Sequence, residues 1–306
     1  MNFENEVMVS IICNTYNHEK YISKAIESFL SQKTNFCYEV LIHDDASTDG
    51  SVSIIEDYHR RYPNIIKPIF QSENQYSKGV SIFFNYQLPR AKGKYIAICE
   101  GDDYWIDENK LQTQYDILEK NENINLCCHK VLKENGLGKI VGEISPSKKN
   151  KIIKIEEVIE GGGGFVGTCS LFIRKCTMQS EFFINYSFAA DYVLQVFSSY
   201  PNELYYINEP MSVYRVFTEN SWTVKARKDI SIANSFTNKS IEFLEIFNDF
   251  THQKYNVTIH NKTNYLKFLV IDRIFLKIKK ERKEAYRKMT FSKKMMMFIR
   301  FLLRRR

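Results

Sequence analysis

The chain has 306 residues, with 44% hydrophobic and 26% charged positions and 43 Lys and Arg against 36 Asp and Glu. That is the composition of a globular protein with a real core, in one large domain or a domain plus an appendage. No apolar run approaches the ~20 residues that span a bilayer. The opening MNFENEVMVSIIC carries two acids and no basic start, so it does not read as a signal peptide, and a soluble or peripheral cytoplasmic protein is expected. Seven cysteines, mostly inside apolar runs, read as reduced core thiols rather than a disulfide framework. The charge is uneven. Lys267 to Arg306 hold 15 Lys and Arg against 3 Asp and Glu, whereas the preceding residues hold 28 against 33.

VMVSIIC (7–13) is a near-continuous apolar run rich in β-branched residues, as for a strand buried on both faces. Apolar residues at 22, 25, 26, 29 and 30 then predict a helix from about His18 to Gln32. YEVLI (38–42) reads as a second strand. It leads through HDDASTDGS, whose Ser47, Thr48 and Asp49 are N-cap types, into a helix ending near Pro63. IIKPIF (65–70) is a third strand, weakened by Pro68, and residues 79–92 read as a helix interrupted near Pro89. KYIAIC (94–99) is a fourth strand, and an amphipathic helix begins at Asp107.

This alternation predicts an α/β fold: a doubly wound, mostly parallel sheet flanked by helices. Ligands in such sheets sit at the carboxyl ends of the strands. Three polar clusters fall there: Asn14-Thr15-Tyr16-Asn17, Asp44-Asp45 and Glu100-Gly101-Asp102-Asp103. Further along, INLCCHKVL, VGEI, GTCSLFI, ELYYI and MSVYRVF read as strands, with a helix from Asp191 to Tyr200 and a hinge at Gly161 to Gly164. From about 223 onward the chain reads as helices only. Domain boundaries of 1–222 and 223–306 follow.

Three carboxylates in four residues at a strand end call for a cation. Mg²⁺ and Mn²⁺ favour carboxylate oxygens and take one or two of them beside substrate phosphates, so Asp102 and Asp103 are candidate metal ligands. The plain alternative is a turn or a helix cap. An ionised Asp only accepts hydrogen bonds, so Asp44-Asp45 could read the imide N–H of uracil or thymine, or merely form an Asx turn. Cys127-Cys128-His129 lacks a second ligand pair at zinc spacing. No Gly-x-Ser-x-Gly elbow or Walker loop is present.

Taken in order, VSIICNTYNHEKYISKAIESFLSQ, EVLIHDDASTDGS, GKYIAICEGDDYW and MSVYRVFTENSW resemble a family 2 glycosyltransferase of the GT-A type, bacterial surface-polysaccharide enzymes included. The resemblance runs from about 7 to 222. It implies an inverting, metal-dependent transfer of a sugar from a UDP-linked donor to a glycan or lipid-linked acceptor, with Mn²⁺ or Mg²⁺ as cofactor. It also implies residue roles. Thr15, Tyr16, Asn17 and Tyr21 belong to the nucleotide-binding loop, and Asp45 holds the base imide. Glu100 takes the first acidic place of the metal and sugar-nucleotide motif. Asp102 and Asp103 follow, with Asp103 the better direct metal ligand. Asp191 matches the catalytic base, though without the resemblance it reads as an N-cap. Arg215 and Trp222 are candidates for phosphate or acceptor contacts, Trp222 being equally a core aromatic. One departure stands out: Phe217 follows Tyr214-Arg215-Val216 where related sequences commonly have His.

FSKKMMMFIRFLLRRR (291–306) brackets a short apolar stretch with basic residues, the pattern of a helix at an anionic membrane interface. Nucleic acid is the weaker partner, since no binding motif accompanies the charge. Two rival readings are a non-catalytic sugar-nucleotide or glycan-binding relative and a receiver-type signalling domain. The second is opposed by chain length and by an acidic pair that follows the second strand, not the first.

Overall fold

In the first strand, β1 (Val7–Thr15), Ile12 faces one core while Val9, Ile11 and Cys13 face another. Both faces are buried, and this is why the run is apolar at successive positions. The computed structural model describes residues 6–178, 190–216 and 222–288.

After β1 come α1 (Ile22–Leu30), β2 (Cys37–Asp44), α2 (Ser51–Arg61) and β3 (Ile66–Phe70). A π-turn at Phe83–Gln87 runs into α3 (Leu88–Arg90), then β4 (Tyr95–Ile98), β5 (Tyr104–Trp105) and α4 (Lys110–Lys120). The order β3-β2-β1-β4 is wholly parallel. Pro68 sits on β3, at the end of that order, where the lack of an N–H costs least. α1, α2 and α4 cover one face through residues such as Ile26, Phe29, Ile55, Leu111 and Leu118.

The other half of the sheet is mixed, a departure from the mostly parallel expectation within the same α/β class. It holds β6 (Ile124–Glu134), β7 (Ile140–Ile144), β8 (Lys151–Ile153), β9 (Phe172–Arg174) and β10 (Glu203–Arg215), with α5 (Ile155–Gly161) and α6 (Ala190–Ser199) packed against them. β9 is antiparallel to both β4 and β6, while β10 is parallel to β6. Two expected strands, ELYYI and MSVYRVF, form the single strand β10. Its register against β6 shifts on both sides of Pro210, which has no N–H for the ladder. The expected GTCSLFI strand shortens to Phe172–Arg174, because Ser170 turns back and donates from N and Oγ to Gly167 O at 2.9 and 2.6 Å.

Helices α7 (Trp222–Lys228), α8 (Ile230–Phe250) and α9 (Asn256–Lys288) follow. Phe243, Leu244, Phe247, Tyr255 and Ile259 join the core formed by Tyr192, Val196, Phe197 and Leu204, so this helical region shares a core with the sheet. Among the described residues no helix is long and apolar enough to cross a membrane. No disulfide forms among the described residues, and five of the seven cysteines are buried.

Candidate active site

The loops that follow β1 and β2 are joined along their length. The backbone turns at Asn17 in the left-handed region, φ 56°. Asn17 N donates to Ser47 Oγ at 2.9 Å, and Thr48 N donates to Asn17 Oδ1 at 2.8 Å. His18 N donates to Ser51 Oγ and Glu19 N to Asp49 Oδ2. Much of the Ser-Thr-Asp segment therefore plays a structural part, holding the nucleotide-loop candidates in place. Asp44 forms the Asx turn, accepting from Ser47 N at 2.9 Å and Ser47 Oγ at 2.5 Å.

Asp45 does something else. Its Oδ1 accepts from Gln75 N at 2.7 Å and its Oδ2 from Tyr76 N at 3.0 Å. The residue assigned to the base imide thus anchors the 71–79 loop with both oxygens, each of which keeps a further lone pair. No sequence pattern pointed to this loop's role, or to Gln87 and Arg90. Gln87 Nε2 donates to Cys13 O, Asn14 Oδ1 and Leu41 O, and Arg90 donates to Ile42 O and Lys67 O, so this pair ties β1, β2 and β3 together. Their signal was only a polar pair beside Pro89.

The acidic loop closes over β1. Gly101 N donates to Asn14 O, and a Cβ at Gly101 would meet His18 Nδ1 at 2.9 Å and Thr15 Cβ at 3.0 Å. Thr15 is buried, and its Oγ1 has no hydrogen-bond partner among the described residues. Tyr16 lies on the rim at 39% exposure. Asp103 is buried, with Oδ1 accepting from Arg215 N at 2.9 Å. Arg215 reaches Asp102 O through Nη1 at 2.6 Å and pairs with Glu134 through Nε at 3.2 Å. Its guanidinium lies 5.0 Å from the Tyr21 ring centroid and 4.5 Å from that of Tyr104. Arg215 is thus set to hold the acidic loop, and Tyr21 serves as its platform. Neither role was legible beforehand, because Glu134 lies 81 positions from Arg215.

The carboxylates crowd one another. Burial, then the charges of Asp191 and Asp102, push Glu100 up to about 8. Burial and Asp102 raise Asp103 well above the ordinary carboxylate range. Asp191 lies in the first turn of α6, not at an N-cap before it. It opens to solvent along part of its surface, but the protein packed around its carboxyl end pushes that group up, opposed by a hydrogen bond with Thr168. Its field also raises the Tyr76 hydroxyl, after desolvation. The fold therefore brings Asp191 to Glu100 from 91 positions away, beside the loop that Asp45 anchors.

Negative charge crowded in this way suits a hard cation. Among the described residues no group of three or more His, Cys, Asp or Glu could hold a metal unaided. One or two carboxylates are the donors that Mg²⁺ or Mn²⁺ takes where phosphate oxygens complete the shell, and Asp102 and Asp103 are of that type. Phe217 lies outside the described residues, and Trp222 opens α7 with its side chain not described. The four-glycine stretch is held at Gly163, whose carbonyl accepts from Gln195 Nε2 at 2.9 Å, and Lys262 Nζ donates to the carbonyl of Glu160 just before it at 2.6 Å.

Residues 10–179, more than half of the chain, match the family described as Glycosyl transferase family 2. The chain belongs to glycosyltransferase family 2. An uncharacterized protein of Mycobacterium tuberculosis is 33% identical over 216 residues, covering 70% of this chain and 60% of that protein. A putative teichuronic acid biosynthesis glycosyltransferase of Bacillus subtilis is 33% identical over 36% of this chain and 42% of its own. Among solved structures, S. aureus TarS 1-349 in complex with UDP superposes with a TM-score of 0.55 at 17% identity, covering 78% of this chain and 65% of that one. The mannosyltransferase PcManGT of Pyrobaculum calidifontis, in complex with GDP-Man and Mn²⁺, gives 0.56 at 13% identity, covering 96% and 79%. At these identities the two structures show the fold.

Proposed function

We propose that the chain is an inverting glycosyltransferase that moves a sugar from a UDP-linked donor to a glycan or lipid-linked acceptor in surface polysaccharide synthesis. The observation that carries this reading is that the charges of Asp191 and Asp102 both act on Glu100, in the acidic loop of a family 2 chain. Asp191 takes the proton of the acceptor hydroxyl as its oxygen bonds to the anomeric carbon. The bond from that carbon to the diphosphate oxygen breaks, and the nucleoside diphosphate leaves with the electron pair. Asp102 and Asp103 would hold Mn²⁺ or Mg²⁺, which supplies countercharge to a diphosphate leaving group. Arg215 and Glu134 keep those two residues in place, while Thr15, Tyr16 and Asp45 border the nucleotide side. TarS with UDP and the teichuronic acid enzyme support the donor and the pathway class.

Attachment to the cytoplasmic membrane face is part of the reading. α9 exposes Phe268, Ile271, Phe275 and Ile278 along one stripe, among Lys277, Lys279, Lys280 and Lys283. Bulky apolar residues beside cations supply both terms of interfacial binding. The basic 291–306 segment lies outside the described residues.

The test is calorimetric titration of UDP with Mn²⁺ and then with EDTA, on wild type and Asp103→Ala, followed by GDP. Metal-dependent UDP binding lost in the variant is the expected result. UDP binding that ignores EDTA removes the metal role, and GDP binding alone reassigns the donor. Donor binding without turnover on any acceptor favours the non-catalytic alternative that Phe217 suggests.

A further inference from the structure

A cavity of about 270 Å³ lies between the glycine loop, the first turn of α6 and helices α8 and α9. Tyr192, Phe236 and Tyr265 give it aromatic walls, and Lys262 and Arg273 line it as cations. Lys262 is 9% exposed, and among the described residues the one acceptor its ammonium reaches at hydrogen-bond distance is the main-chain carbonyl of Glu160. Arg273 Nη1 donates to Thr237 Oγ1 at 2.8 Å and to Asn234 Oδ1 at 3.3 Å. Among the described residues, no carboxylate forms an ion pair with either cation. Glu160, which is exposed, attracts the Lys262 ammonium, but burial outweighs it and lowers the group's pKa.

A buried ammonium without an ionic partner is costly, and the sequence makes room for this one. Gly162 adopts φ +76°, and a Cβ there would stand 3.0 Å from Lys262 Nζ. An ammonium has three donors and a guanidinium five, so both groups retain N–H bonds for a ligand. The cavity also touches the catalytic turn. A Cβ on Gly163 would contact Tyr192 Cβ at 3.5 Å and Tyr192 N at 3.9 Å, and Tyr192 follows Asp191 directly in the chain.

We infer that this cavity is an acceptor subsite for an anionic, phosphate-bearing polyol or sugar, gripped by Lys262 and Arg273 and stacked on the aromatic walls. The inference rests on the glycosyltransferase reading for the word acceptor. The volume accommodates about one such unit, lying just below the range of ligand pockets, which run from about 300 Å³ upward. An anion held here would lie against the helical turn that presents Asp191.

The experiment titrates glycerol 3-phosphate, glycerol and glucuronate into the full chain, with Mn²⁺ and UDP titrated separately. Glycerol 3-phosphate is expected to bind, glycerol not to, and Arg273→Gln or Lys262→Gln to weaken the phosphate ligand about 10–100-fold, the worth of one or two charged hydrogen bonds. UDP binding is expected to stay unchanged in both variants. Arg273 is half-buried at the surface, so its variant decides the matter even if Lys262→Gln fails to fold. Equal affinity of Arg273→Gln and wild type for glycerol 3-phosphate overturns the site. Preference for glucuronate overturns the phosphate assignment. Binding of glycerol 3-phosphate by a chain that ignores UDP and GDP overturns the donor reading, and with it the acceptor role.

Discussion

The main-chain N–H of Arg215 donates to Asp103 Oδ1 at 2.9 Å, joining residues 112 positions apart. Through this bond the last residue of β10 fixes a carboxylate of the acidic loop. The same arginine side chain grips the carbonyl of Asp102 and the carboxylate of Glu134, to which the Tyr104 hydroxyl also donates at 2.8 Å.

Removing that guanidinium strands a charge. Arg215→Met is expected to cost about 3–5 kcal/mol in urea denaturation, because Glu134 loses its counterion in a site only 12% exposed. Adding Glu134→Gln should recover much of the loss. A double variant no more stable than Arg215→Met would place the arginine's contribution in its ring stacking instead.

Gly101→Ala puts a methyl group 2.9 Å from His18 Nδ1 and 3.0 Å from Ile22 Cδ1. Overpacking of this kind costs about 1–3 kcal/mol. A lowered melting temperature together with weaker UDP binding is expected, since the same contact sets the height of the acidic loop over Thr15.

Asp45→Ala frees the amides of Gln75 and Tyr76. Hydrogen exchange at these two positions should rise well above wild type, with nucleotide affinity reduced. Unchanged exchange would show that the loop is held by its other contacts, such as the bond from Asn74 Nδ2 to Asp45 O.

Acid should destabilise the fold through His43. The residue is fully buried, and burial lowers its imidazole from 6.5 to about 4. Between those values the unfolded chain binds a proton that the folded chain refuses. This contribution is intact above pH 6.5, falls as pH drops, and is lost by about pH 4. The loss is about 2 kcal/mol by pH 5, out of about 3 kcal/mol in full. Urea midpoints at pH 7 and pH 5 should therefore diverge more in wild type than in His43→Gln.

Asp191→Asn keeps the shape of the first turn of α6 and removes the proton acceptor. Turnover is expected to fall about 10²–10⁴-fold, the usual worth of a general base, while UDP affinity holds. Loss of both together would mean that Asp191 supports the donor site rather than the acceptor.

The chain pattern by itself determined the parallel half of the sheet. β1, β2 and β4 are apolar on both faces, α1 and α2 have helical spacing, and polar clusters fall at the strand ends because only there can carboxylates meet solvent or a cation. These are local signals, set by side-chain period and burial. The mixed half depended on pairings between distant segments. β9 was shortened by the Ser170 turn, and β10 ran on through Pro210, neither of which a local period encodes. Tertiary structure alone decided the electrostatics as well. Glu100 reaches about 8 because burial combines with Asp191 arriving on a helix from far along the chain. Among the described residues Lys262 forms no ion pair, and a left-handed glycine makes room beside its ammonium. A charge's surroundings are set by which elements pack together, and packing is a property of the whole fold.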